Sequence, residues 1–90
     1  MMKLEGINLE VIIYTSDQCG YCRALKDWLS SRSVGYKEKN IMRDQEAYSE
    51  FLEQHLPGTP YTLINGKQGT KRVLGFNAGR LEALLLENQP

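Results

Sequence analysis

Two side chains in this sequence can do redox chemistry, Cys19 and Cys22, and they are its only cysteines. They stand three residues apart in Cys19-Gly20-Tyr21-Cys22, just after the apolar run Val11-Ile12-Ile13-Tyr14. Two cysteines placed at random in a chain of this length would show that separation about two times in a hundred, so the spacing favours a joint role. The position adds chemistry. A strand handing over to a helix puts Cys19 at the helix start, beside unpaired backbone N–H groups and the positive end of the helix dipole. That setting lowers a thiol pKa from about 8.5 towards neutrality or below, and the thiolate is the form that attacks disulfides. Cys22, one turn on, lies on the same face and can close a ring with Cys19. The chemistry indicated is thiol–disulfide exchange. Half of a zinc site is the main rival. Zinc takes about four ligands, however, and the chain's one histidine, His55, is expected on a different helix. Two inert buried thiols are the remaining alternative.

The elements that must hold this pair can be read around it. Leu9 to Thr15 is apolar on both alternating faces, as in a central strand covered on two sides. From Gly20 to about Ser33, Tyr21, Leu25, Trp28 and Leu29 recur at helical spacing, and Val34-Gly35 should break that helix. Tyr36 to Ile41 alternates weakly, as an edge strand does. Asp44 is the expected N-cap of a second helix with Tyr48, Phe51, Leu52 and Leu56 as its apolar face, and Pro57 should stop it. Tyr61 to Ile64 and Lys71 to Phe76 form a hairpin around the turn residues Asn65-Gly66-Lys67-Gln68-Gly69. Asn77 then caps a last helix with Leu81, Leu84 and Leu85 inward. The fold class is α/β, in the order β-α-β-α-β-β-α: a mixed four-stranded sheet flanked by three helices.

Whole-chain totals narrow the function classes. Ninety residues make one domain, with a core expected over about 9–86 and frayed ends at Met1 to Gly6 and Glu87 to Pro90. Eleven basic and eleven acidic residues cancel, so neither a nucleic acid nor a membrane surface is an expected partner. No apolar stretch has the length of an export signal or a membrane span. The expected compartment is the cytoplasm, where a lone C-x-x-C pair is catalytic or metal-binding more often than structural.

The element order, Cys19-Gly20-Tyr21-Cys22 at the first strand–helix junction, and Thr59-Pro60 before the hairpin together resemble the thioredoxin fold. Within it the chain resembles a glutaredoxin-like protein over about Leu9 to Leu86. Gly75-Phe76-Asn77-Ala78-Gly79-Arg80-Leu81 is similar to the Gly-Phe segment of the glutaredoxin-like electron donors of ribonucleotide reductase. The resemblance implies a dithiol oxidoreductase in which Cys19 is the nucleophile and Cys22 resolves the mixed disulfide. It implies that Pro60 is cis, that Thr59 offers its main chain to an extended substrate, and that Tyr21 walls the thiol. Gly75, Phe76 and Asn77 would complete the substrate or glutathione site, with Gly75 where a side chain would crowd a ligand. The expected partners are protein or glutathione-mixed disulfides, with glutathione or thioredoxin reductase as electron source, and the expected state is a monomer.

Three departures from the family pattern stand out. Ser16 occupies a position that usually carries Lys or Arg, and Ala78-Gly79 replaces an acidic pair. Gly20 takes the place of a proline between the cysteines. Arg23 and Lys26 are positioned to offset the first change electrostatically. No resident cofactor or metal is required by the dithiol reading. Related proteins lacking that proline can hold an iron–sulfur cluster between two subunits with glutathione as co-ligand, so a cluster carrier bridged through Cys19 and glutathione is the alternative the resemblance implies.

Overall fold

A computed structural model describes residues 9–66 and 69–87. The elements are β1 (Glu10–Thr15), α1 (Gly20–Ser31), β2 (Lys37–Asn40), α2 (Gln45–Glu53), β3 (Tyr61–Gly66), β4 (Gly69–Leu74) and α3 (Ala78–Glu87). The sheet order is β2-β1-β3-β4, with β1 parallel to β2 and antiparallel to β3, and β3 antiparallel to β4. This is the α/β mixed sheet that the element order predicts and the thioredoxin-like arrangement that the resemblance implies. Strand β3 runs two residues longer than expected, and β4 is shifted two residues towards the turn, ending at Leu74 rather than Phe76: Asn65 pairs with Thr70 and Gly66 with Gly69, and residues 67–68 lie outside the described residues. Residues 1–8 and 88–90, covering nearly all of the ends expected to fray, also lie outside it; Glu87 itself closes α3.

The two-sided apolarity of β1 divides the core. Val11 and Ile13 point to one face, where they meet Leu25 and Leu29 of α1, Ile64 and Val73 of the hairpin, and Leu81, Leu84 and Leu85 of α3. Tyr14 points to the other, with Leu63 and Leu56, and Ile12, Ile41 and Phe51 pack around them. Leu25 and Leu29 are wholly enclosed, and each such burial contributes about 1.5–3 kcal/mol.

Part of the expected α2 face is corrected. Tyr48 and Leu52 are largely exposed, and the enclosed residue is Ala47. The Asp44 carboxylate sets this phase, because it accepts the N–H groups of Glu46 (3.0 Å) and Ala47 (3.3 Å) and so fixes where the first turn begins. On α1, Tyr21 likewise falls outside the apolar face, and Cys22 takes the inward position.

Helices α1 and α2 end earlier than the breakers at Gly35 and Pro57 suggest. Ser33 (φ 59°) and His55 (φ 55°) adopt the left-handed conformation. Beyond them, Val34 N–H donates to the Leu29 carbonyl and Leu56 N–H to the Phe51 carbonyl. Ser33 N–H to the Ser30 carbonyl and His55 N–H to the Leu52 carbonyl complete each closure. These are Schellman endings, in which an apolar residue just past the turn is buried. Val34 and Leu56 are those residues. His55 therefore lies exposed beyond the end of α2 rather than within it.

Candidate redox site

The turn from β1 into α1 is built from short polar side chains. Gln18 takes a left-handed conformation (φ 58°) that reverses the chain. Cys19 follows as the N-cap of α1 with extended backbone (φ −103°, ψ 105°). Its Sγ does what a cap side chain does: it accepts a hydrogen bond from the Cys22 N–H at 3.2 Å. Cys19 is half-buried, whereas Cys22 is 2% exposed. The two sulfurs are joined as a disulfide, with Cα atoms 5.2 Å apart. Cys19, at the helix N-terminus, is thus the more accessible of the pair and Cys22 the enclosed one. Among the described residues, no three His, Cys, Asp or Glu side chains group so as to hold a metal ion.

Two further segments reach the same end of the sheet. The Thr59–Pro60 peptide bond is cis. The Thr59 hydroxyl shares a 2.8 Å hydrogen bond with the Ser16 hydroxyl, tying this loop to the one that leads into Cys19. Thr59 takes no part in the strand pairing of β3, which begins at Tyr61. Gly75 N–H donates to the Pro60 carbonyl at 2.8 Å, joining the end of β4 to the proline loop. Gly75 has φ 79° with no atom within 4 Å of where a Cβ would stand, so backbone conformation, rather than crowding within the chain, calls for glycine here. The structure therefore assembles Cys19, Cys22, Thr59, Pro60 and Gly75 through two short ties.

The other candidates are placed differently. Tyr21 projects into solvent, 70% exposed. Phe76 packs edge-on against Trp28, ring centroids 6.4 Å apart, and flanks the α1/α3 core. Asn77 caps α3, its Oδ1 accepting the Arg80 N–H at 3.0 Å.

On the β2 side of the sulfurs lies an open cleft of about 680 Å³, to which both cysteines contribute. None of Thr59, Pro60 and Gly75 lines it. Asp17 anchors one wall, accepting from Asn40 Nδ2 (3.1 Å) and Arg43 Nε (2.9 Å). These bonds, the Arg43 one foremost, hold the Asp17 carboxyl below its usual range. Glu38 anchors the other, accepting from the enclosed Thr15 hydroxyl (2.7 Å) and from Lys26 Nζ (3.1 Å). Partial burial pushes the Glu38 carboxyl up, but the Thr15 and Lys26 bonds together outweigh it and leave the group below its ordinary value. Glu38, Asn40 and Arg43 were missed in the sequence. They come from a strand and loop remote from the cysteines, and only the parallel register, Thr15 beside Asn40 and Ile13 beside Glu38, brings them round.

The sequence model of the glutaredoxin family matches residues 11–68. A glutaredoxin-like 8.6 kDa protein in the rubredoxin operon of Clostridium pasteurianum is 25% identical over 76 residues, spanning 81% of this chain and 93% of that one. The global transcriptional regulator Spx of Listeria innocua is 37% identical over 43 residues, which is 48% of this chain but only 33% of Spx. The chain thus matches about a third of the length of such relatives. Among solved structures, the thioredoxin-like protein BC3987 superposes with a TM-score of 0.69 at 26% identity, covering 83% of this chain and 99% of that one.

Proposed function

The chain belongs to the glutaredoxin family, and from that premise we propose that it is a dithiol thiol–disulfide oxidoreductase with Cys19 as nucleophile and Cys22 as resolving thiol. The observation that carries this reading is the asymmetry of the pair. Cys19 is the less buried of the two and its Sγ already takes the place of a helix cap, accepting the Cys22 N–H, while Cys22 is enclosed. In the reduced protein the same N–H and the dipole of α1 stabilise a Cys19 thiolate.

The thiolate attacks one sulfur of a substrate disulfide. A Cys19–substrate disulfide forms and the other substrate sulfur leaves as a thiolate, which takes up a proton. Cys22 loses its proton and attacks Cys19 Sγ, forming the Cys19–Cys22 disulfide and releasing the second substrate thiolate. Two electrons have then passed from the cysteine pair to the substrate. The substrates in this reading are protein disulfides or glutathione-mixed disulfides. Glutathione or a flavoprotein thioredoxin reductase returns the electrons. Thr59, whose main chain stands free of β3 pairing beside the cis proline, supplies the edge along which an extended substrate lies.

Single-cysteine variants test the assignment. Cys19→Ser should reduce disulfide turnover at least a hundredfold. Cys22→Ser should accumulate a mixed disulfide with a protein substrate, seen as an added mass that dithiothreitol removes. Full disulfide-reductase activity in Cys19→Ser would refute the reading.

A further inference from the structure

The loop that delivers Cys19 is held from the β2 side by a sulfur that the exchange chemistry does not use. Met42 is 64% exposed, and its Sδ accepts the Asp17 N–H at 3.3 Å. The residues around it keep that contact in place. Met42 N–H donates to Asn40 Oδ1 at 2.9 Å, while Asn40 Nδ2 and Arg43 Nε both reach the Asp17 carboxylate. Asp17 is thus gripped at its carboxylate and at its main chain by one short turn, residues 40–43. Between Asp17 and Cys19 stands Gln18, a non-glycine residue in the left-handed conformation (φ 58°). Such a conformation persists only where neighbouring contacts hold it. The Met42 bond is one of those contacts, and the extended cap geometry of Cys19 follows the reversal at Gln18.

While the cysteines are joined as a disulfide, neither offers a thiol to an oxidant. Met42, the one methionine among the described residues, still presents its thioether to solvent. A thioether sulfur has two lone pairs, and the Asp17 N–H covers one of them. Peroxide reaches the other. We infer that Met42 is a modification site through which hydrogen peroxide slows the exchange reaction. The Met42 sulfur attacks one peroxide oxygen; the S–O bond forms and the O–O bond breaks. The second oxygen leaves as water, taking the proton of the first. The sulfur is oxidised to the sulfoxide by two electrons and the peroxide is reduced. The new oxygen stands on the solvent side, and the oxidised sulfur no longer accepts the Asp17 N–H. The loop loses a tie, Gln18 is held less firmly, and Cys19 spends less time in the cap position. Sulfoxide reductases reverse the step. The inference rests on the exchange reaction proposed above.

To test it, the disulfide form is treated with hydrogen peroxide and the pair is reopened with dithiothreitol, which leaves a sulfoxide in place. Reduction of a peptide disulfide is then timed. Loss of one weak hydrogen bond corresponds to about a threefold change. The oxidised protein should therefore turn over about threefold more slowly, and a methionine sulfoxide reductase should restore the rate. Met42→Leu, which has no acceptor for the Asp17 N–H, should start at the slow rate and keep it after peroxide. Two epimer-specific reductases applied to the digested protein report the geometry. One epimer should make up most of the Met42 sulfoxide. An even mixture of epimers, a Met42 peptide that gains no oxygen, or a Met42→Leu protein slowed by peroxide overturns this inference alone. So does an active wild type whose rate peroxide leaves unchanged. A wild-type protein that reduces no disulfide before peroxide overturns the exchange reading as well.

Discussion

Glu38 shows how a single side chain in this site couples ionisation to folding. Its carboxylate accepts from Thr15, an enclosed residue, and from Lys26, one turn beyond Cys22. Burial alone would raise its pKa above the ordinary 4.5, yet the two donors bring it below that value in the folded protein. A group whose folded pKa is depressed stabilises the fold above its unfolded pKa. That contribution is present in full at neutral pH, begins to fade near pH 4.5, and is gone once the pH falls below the folded value. Glu38→Gln keeps an acceptor for Thr15 but does not titrate. Urea unfolding from pH 7 down to pH 3 should therefore show a shallower loss of stability in Glu38→Gln than in wild type. Identical slopes would mean that the Glu38 ionisation is not linked to folding. Of the residue-level chemistry, the cysteine pair was legible from spacing alone. Glu38 was not, because its significance depends on Thr15 and Lys26, which are distant in sequence and meet it only through the parallel pairing of β1 and β2.

At the scale of elements, the caps decide where each helix begins and ends, and hence which side chains face inward. Asp44 was readable as an N-cap, and it accepts two N–H groups as a cap should. The inward face of α2 was misread because large apolar residues were assigned to it, whereas the phase set by Asp44 turns Tyr48 and Leu52 outward and buries Ala47. The helix ends were also displaced. Glycine and proline are the strong sequence signals for a stop, but here serine and histidine take the left-handed position so that Val34 and Leu56 can be buried. Two substitutions of opposite sign follow. Asp44→Ala removes the cap and should destabilise the protein by about 1 kcal/mol. His55→Gly relieves a left-handed non-glycine residue and should stabilise it by about 1 kcal/mol. Chemical denaturation of both variants checks the pair, and a stabilised Asp44→Ala or a destabilised His55→Gly would contradict this account of the caps.

Over the whole molecule, the sheet order is what makes a site out of separated segments. β1 lies between β2 and β3, so the loop after β1, the loop after β2 and the loop before β3 all emerge at one end of the sheet. Helix α1 begins there, with two apolar clusters holding β1 from both faces. That β1 is an inner strand followed from the sequence, because it is apolar on both sides; that β2 and β3 are the strands flanking it is seen in the sheet itself. The division of that end into a Thr59–Pro60 edge and a separate charged cleft was not legible. It arises from the paired contacts Ser16–Thr59, Asp17–Arg43 and Lys26–Glu38, none of which has a local signature. All of this architecture converges on Cys19 standing at the first turn of α1 with its sulfur in the cap position. The direct test is the rate of iodoacetamide alkylation of Cys19 against pH, measured in Cys22→Ser so that one thiol reports. The account predicts an inflection at least about one unit below the 8.5 of a free thiol. An inflection at or above that value would contradict it.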